Sequence, residues 1–98
     1  MKRDDVITVL RSHESDLRRR GVRHAALFGS VARDTATASS DIDILIELDP
    51  DAPIGVFGYV ALKRFIADMF SGPVDVVDRD ALKSSIRHNA VSDAIHAF

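Results

Sequence analysis

The stretch that decides the reading is Ser40-Asp41-Ile42-Asp43-Ile44-Leu45-Ile46-Glu47-Leu48, with Val22-Arg23-His24-Ala25-Ala26-Leu27-Phe28-Gly29-Ser30 before it. From Asp41 to Leu48 the residues alternate. Ile42, Ile44, Ile46 and Leu48 fall on one face, and Asp41, Asp43, Leu45 and Glu47 on the other, the period of a half-buried strand. Residues i and i+2 of a strand project from the same face, so Asp41 and Asp43 hold two carboxylates side by side. Charges that close repel, and one carboxyl would be partly protonated unless a cation joined them. Hard oxygen ligands of this kind suit Mg²⁺, which takes one or two carboxylates and fills its shell with water and phosphate oxygens.

The upstream segment reads as a second strand, from Val22 to Phe28, that runs into Gly29-Ser30 at a handover to a short helical turn. Glycine lets a phosphate approach the backbone, and the amides that follow point outward. The Ser30 hydroxyl adds one more donor. Arg33 can meet a phosphate oxygen or pair with Asp34. Between the two strands, from Asp34 to Ser40, small polar residues make a loop.

Outward from this centre, Asp4 or Asp5 can cap a first helix whose apolar side holds Val6, Ile7, Val9, Leu10 and Leu17. Arg18-Arg19-Arg20 reads as its basic last turn, favourable against the negative helix end, and Gly21 as its stop. Downstream, Asp49-Pro50-Asp51-Ala52-Pro53 breaks the strand. A helix from Ile54 to Phe70 follows, with Phe57, Val60, Ala61, Phe65 and Met69 available for burial. After Gly72-Pro73, Val74-Asp75-Val76-Val77-Asp78 reads as a third strand. Ala81 to Phe98 reads as helix, with Ile86, Ala90, Val91, Ala94, Ile95 and Phe98 on its apolar side and Asp78 and Asp80 capping it. The apolar end at Phe98 is expected to dock, on its own domain or on a partner.

The order helix, strand, short helix, strand, helix, strand, helix predicts a single α/β (α+β) domain over residues 1–98, with a small mixed sheet of three or more strands flanked by helices. Asp75 is an acidic side chain in an apolar run. Beside the Asp41–Leu48 strand it would reach the same centre and complete a set of three carboxylates for two Mg²⁺ ions, with Asp75 as general base. Taken alone, each feature has an ordinary reading: Asp-x-Asp as a solvated face, Asp75 as an edge-strand charge. Their ordered combination is what points to chemistry.

Composition narrows the classes. The chain has 98 residues, 46% hydrophobic and 29% charged, as in ordinary globular proteins. A net charge of −2 argues against direct nucleic-acid binding, which favours a basic excess. There is no cysteine, so disulfides and thiolate metal sites are excluded. No apolar run spans a bilayer, and the first residues lack a signal-peptide core, so a cytoplasmic protein without a membrane is expected. The four histidines show no metal-ligand spacing, and His24 alone stands near the site. Tyr59 and Phe57 are read as core residues, with stacking on an adenine as the alternative.

Gly29-Ser30 with Arg33, then Ser40-Asp41-Ile42-Asp43, resembles the signature of the DNA polymerase β-like nucleotidyltransferase superfamily. The short length and Val74-Asp75-Val76-Val77 resemble its minimal, or MNT, branch. The resemblance covers essentially the whole chain and implies a mixed sheet, two Mg²⁺ ions and ATP as substrate. Members of this branch are commonly antitoxins paired with a HEPN-domain toxin, which they neutralise by attaching AMP to a tyrosine or by binding. By position, Ser30 would contact the triphosphate and Asp41, Asp43 and Asp75 would hold metal. One departure is Asp34, where the family often has glycine. A catalytically weak antitoxin that acts by docking, as part of a homo- or hetero-oligomer, is the alternative reading.

Overall fold

The structure is a computed structural model that describes residues 2–32, 41–81 and 94–98. Its elements in order are α1 (Arg3–Ser12), α2 (Glu14–Arg19), β1 (Val22–Phe28), α3 (Gly29–Ala32), β2 (Ile42–Leu48), α4 (Val56–Ala67), β3 (Val74–Asp78), a 3₁₀ turn (Arg79–Ala81) and β4 (Ile95–His96). The strands form one mixed sheet in the order β3-β2-β1-β4. β2 lies at its centre, antiparallel to β1 and parallel to β3.

The alternation of β2 explains that central place. Ile42, Ile44 and Ile46 are all buried, and Leu45 is buried on the opposite face. The helices close over the isoleucine face: Val6, Leu10 and Leu17 from α1 and α2, and Leu62 and Ile66 from α4, join Ile44, Ile46, Leu27 and Val76 in one core. Each such side chain, taken out of water, stabilises the fold by roughly 1.5–3 kcal/mol before its ordering entropy is counted.

Three expectations change. The helix expected before Gly21 is two helices. Asp4 and Asp5 do not cap the first one; Lys2 holds the N-cap position without a side-chain bond, and the aspartates lie in the first turn, where their charge still favours the helix. His13 marks the break, with its Nδ1 near the Val9 carbonyl (2.9 Å). The arginines do close α2: Arg18 pairs with Glu14 (2.7 Å), Arg19 with Asp16, and the Arg20 guanidinium lies over the Phe65 ring at 3.9 Å.

The second change concerns α4. Its buried residues are Leu62 and Ile66, at i and i+4, with Phe65 packed at the margin; Met69 and Phe70, in the turn that follows, pack against the same core. Phe57, Val60 and Ala61, expected in the core, are exposed. The helix is apolar almost all round, so local periodicity did not choose a face.

The third concerns the C-terminal segment. Ile95–His96 is a strand, paired antiparallel with Ala26 and Leu27 of β1. The Ala97 amide donates to the Ala25 carbonyl (2.8 Å), and Arg11 Nε donates to the Ala97 carbonyl (2.8 Å). The apolar end docks on its own domain, with Ala97 buried and Phe98 packed against the core. Ile86, Ala90 and Val91 of the expected helix lie outside the described residues. Asp78 Oδ1 accepts the Asp80 amide (3.0 Å) at the start of the 3₁₀ turn, and the helix that Asp78 and Asp80 are expected to cap lies outside the described residues from 82 on.

Candidate functional site

The pairing of β2 with β3 sets Asp43 directly opposite Asp75. Neighbouring strands lie ~4.8 Å apart and paired residues share a face, so the two carboxylates project side by side. On the other flank of β2, Asp43 pairs with Phe28, the last residue of β1. The chain turns there at Gly29, with φ 76°. A Cβ built on Gly29 would run into the Asp43 carboxylate. Glycine is therefore required twice, for its backbone angle and for the room the carboxylate takes.

Asp41 is the residue before β2, exposed. The amide of Ile42, next to it, donates to the Pro73 carbonyl (3.0 Å), which ties the entry of β2 to the entry of β3. The structure thus gathers Gly29, Asp43 and Asp75, with Asp41 exposed just before β2. Ser30 follows on α3, and its side chain, like the whole of Arg33, lies outside the described residues.

Among the described residues, no three His, Cys, Asp or Glu side chains converge on one point. What the backbone register brings together is the pair Asp43 and Asp75. That pair still fits a magnesium ion, whose donors are oxygens and which asks the protein for only one or two carboxylates. Two adjacent carboxylates without a cation repel, so the site favours a cation together with an anionic, oxygen-rich ligand.

The same face of the sheet continues away from the carboxylates. His24 pairs with Glu47, Ala26 with Leu45, and His96 of β4 with Ala26. These residues, with Arg79 and Phe98, line a cavity of about 600 Å³. The His24 and His96 rings stand edge to face, 6.3 Å apart. Sequence reasoning noticed His24 and missed the rest. The sequence pattern puts His96 in a helix, because a two-residue strand has no period to detect.

On the edge strand β3, Asp78 lines a second hollow together with Leu48, Ile54 and Tyr59. Tyr59 is half-buried there rather than packed in the core. Burial pushes its phenol above the ordinary 10.0, the charges of Asp78 and, more weakly, Asp75 add to the rise, and a backbone hydrogen bond at Asp78 partly offsets them.

Comparison with known proteins agrees with this geometry. The family described as Nucleotidyltransferase domain matches residues 10–96. The protein adenylyltransferase MntA of Thermococcus cleftensis is 29% identical over 94 residues, 95% of this chain and 93% of that protein. Among solved structures, a candidate minimal nucleotidyltransferase superposes with TM-score 0.79 at 25% identity, covering 97% of this chain and 95% of its own. A complex of a tri-AMPylated HEPN toxin with its MNT antitoxin, from Shewanella oneidensis, matches with TM-score 0.64 at 18% identity, covering 94% and 71%; at that identity the likeness is one of fold. A carboxylate pair in register across β2 and β3, a glycine turn against it and a match running nearly from end to end all lead to one assignment: the chain is a nucleotidyltransferase and belongs to the nucleotidyltransferase domain family.

Proposed function

We propose that this nucleotidyltransferase is a Mg²⁺-dependent protein adenylyltransferase. In this reading it moves AMP from ATP to a tyrosine hydroxyl of a HEPN-type toxin and so acts as its antitoxin. The observation that carries the reading is the register of Asp43 with Asp75 beside the Gly29 turn. The MntA relative, itself a protein adenylyltransferase, supports a protein as acceptor.

Asp41, Asp43 and Asp75 would hold the metal, two ions once triphosphate oxygens complete the shells. Bound there, Mg²⁺ would neutralise charge on the triphosphate and polarise the α-phosphorus. The turn at Gly29-Ser30 lets the β- and γ-phosphates approach the backbone, with the Ser30 hydroxyl and Arg33 as further donors. The acceptor oxygen attacks the α-phosphorus, the bond from that phosphorus to the bridging oxygen breaks, and pyrophosphate leaves. Asp75, on the edge strand, takes the acceptor's proton as general base. Gly29 holds the Asp43 carboxylate in place by leaving it room.

The test is the intact mass of the HEPN-type protein encoded beside this chain, purified after co-expression. With wild type it should gain one or more AMP units. With Asp43→Asn/Asp75→Asn the gain should fall by at least about 10²-fold, the size of a lost general base. An equal gain with both forms would sink the mechanism. A partner that stays unmodified yet co-purifies with both forms would make this a docking antitoxin. The exposed start of α4 is the observation that keeps this second reading open.

A further inference from the structure

The first two turns of α4 present Val56, Phe57 and Val60 to water, at 80%, 91% and 60% exposure, the large apolar side chains that the described residues leave uncovered. Beside them is a hollow of about 420 Å³, lined by Leu48, Ile54, Val56, Tyr59, Val60 and Asp78. A ring as exposed as Phe57 next to a hollow is the form of an anchor site rather than a scattered surface residue.

The charge around it is mainly acidic; the basic groups are Lys63, whose ammonium lies over the Tyr59 ring at 5.5 Å, and Arg79, which pairs with Asp80 at 3.9 Å. From Leu48 to Leu62 the chain carries Asp49 and Asp51 and no lysine or arginine. Both aspartates are exposed. Asp78 adds a third carboxylate in the wall of the hollow, and Asp80, exposed, follows it. In a two-fold contact between copies, the same patch meets itself. Asp49, Asp51 and Asp78 would then face their own counterparts, which disfavours a second copy as the occupant. The complementary surface has apolar side chains flanked by lysine or arginine.

The patch also lies in a useful place. Asp78 and Asp75 are three residues apart on β3, ~10 Å, and so project from its opposite faces, though the Tyr59 phenol in the hollow feels the charge of both. Among the described residues β3 is the outer strand of the sheet. A protein seated on α4 would reach the Asp43–Asp75 pair around that outer strand.

We propose that the start of α4 and its acidic rim form the docking surface for the acceptor protein, and receive an apolar segment of it flanked by basic residues. This rests on the reading that the acceptor is a protein. The surface then gives affinity for the acceptor, while the carboxylates perform the transfer.

The experiment is calorimetric titration of the HEPN-type neighbour into wild type, into Phe57→Ser/Val60→Ser and into Asp49→Lys/Asp51→Lys, with ATP titrated in parallel. Both variants should weaken partner binding by about tenfold or more and leave ATP binding unchanged. Phe57 and Val60 are exposed, so that variant should keep the wild-type melting curve; the Asp49→Lys/Asp51→Lys variant also loses the Asp49 Oδ1 acceptor of the Asp51 amide (2.9 Å) and is titrated well below its own melting temperature. Partner affinity unchanged in both variants would overturn the proposal. So would a wild type that binds no partner, or one that dimerises through Phe57 and Val60. Asp43→Asn/Asp75→Asn separates the two readings: it should bind the partner as wild type does without modifying it. If wild type also leaves the partner unmodified while the patch variants lose binding, docking stands and adenylylation falls.

Discussion

At position 29 two constraints act together: the backbone has φ 76°, and the space a Cβ would occupy holds the Asp43 carboxylate. Gly29→Ala must strain the turn by about 1–2 kcal/mol and displace the carboxylate as well. We expect urea unfolding to show at least that loss, and AMP transfer to fall further than stability does. Tyr59 offers a second test, because it is the sole tyrosine and there is no tryptophan. Its phenol is raised above 10.0 in the folded protein. The native state therefore holds this proton more tightly than the unfolded chain. The associated stability is complete below pH 10 and is lost as pH rises through the folded value. Absorbance at 295 nm should titrate above 10.0 in native protein and near 10.0 in denaturant; coincident curves would contradict the burial. Tyr59→Phe should remove this part of the alkaline loss.

For α4, the two sides of one helix should respond in opposite ways. Ile66→Ala opens the core and should cost about 2–5 kcal/mol. Phe57→Ala, on the exposed side, should stay within about 0.5 kcal/mol, as read by the urea midpoint. Equal costs would mean that the helix packs through the face expected from its sequence. That expectation failed for a physical reason. Val56, Phe57, Val60, Leu62, Phe65, Ile66 and Met69 surround the axis, and only the position of β3 and α1 decides which of them meet the sheet. The strands were legible for the converse reason. β1 is bounded by Gly21 and Gly29 and β3 by Pro73, and β2 alternates cleanly, so their limits agree within one residue with those observed.

Among the described residues β4 is the outer strand beyond β1, and few bonds hold it. Arg11 Nε on the Ala97 carbonyl and the Ala97 amide on the Ala25 carbonyl join the chain end to α1 and β1. Arg11→Ala should cost about 1 kcal/mol and speed hydrogen exchange at Ala97 well before that at Ile44 in the central strand; equal effects would mean that β4 opens only with the whole sheet. Local chemistry, readable along the chain, determined the strands β1, β2 and β3, the glycine turn and the carboxylates at 41, 43 and 75, because period, turn residues and charge are properties of neighbours in sequence. Tertiary structure alone decided that β3 runs parallel beside β2 with Asp75 against Asp43, that α4 turns Phe57 outward, and that Ile95–His96 is a strand. Those outcomes depend on contacts between segments far apart in the chain, which no local pattern encodes.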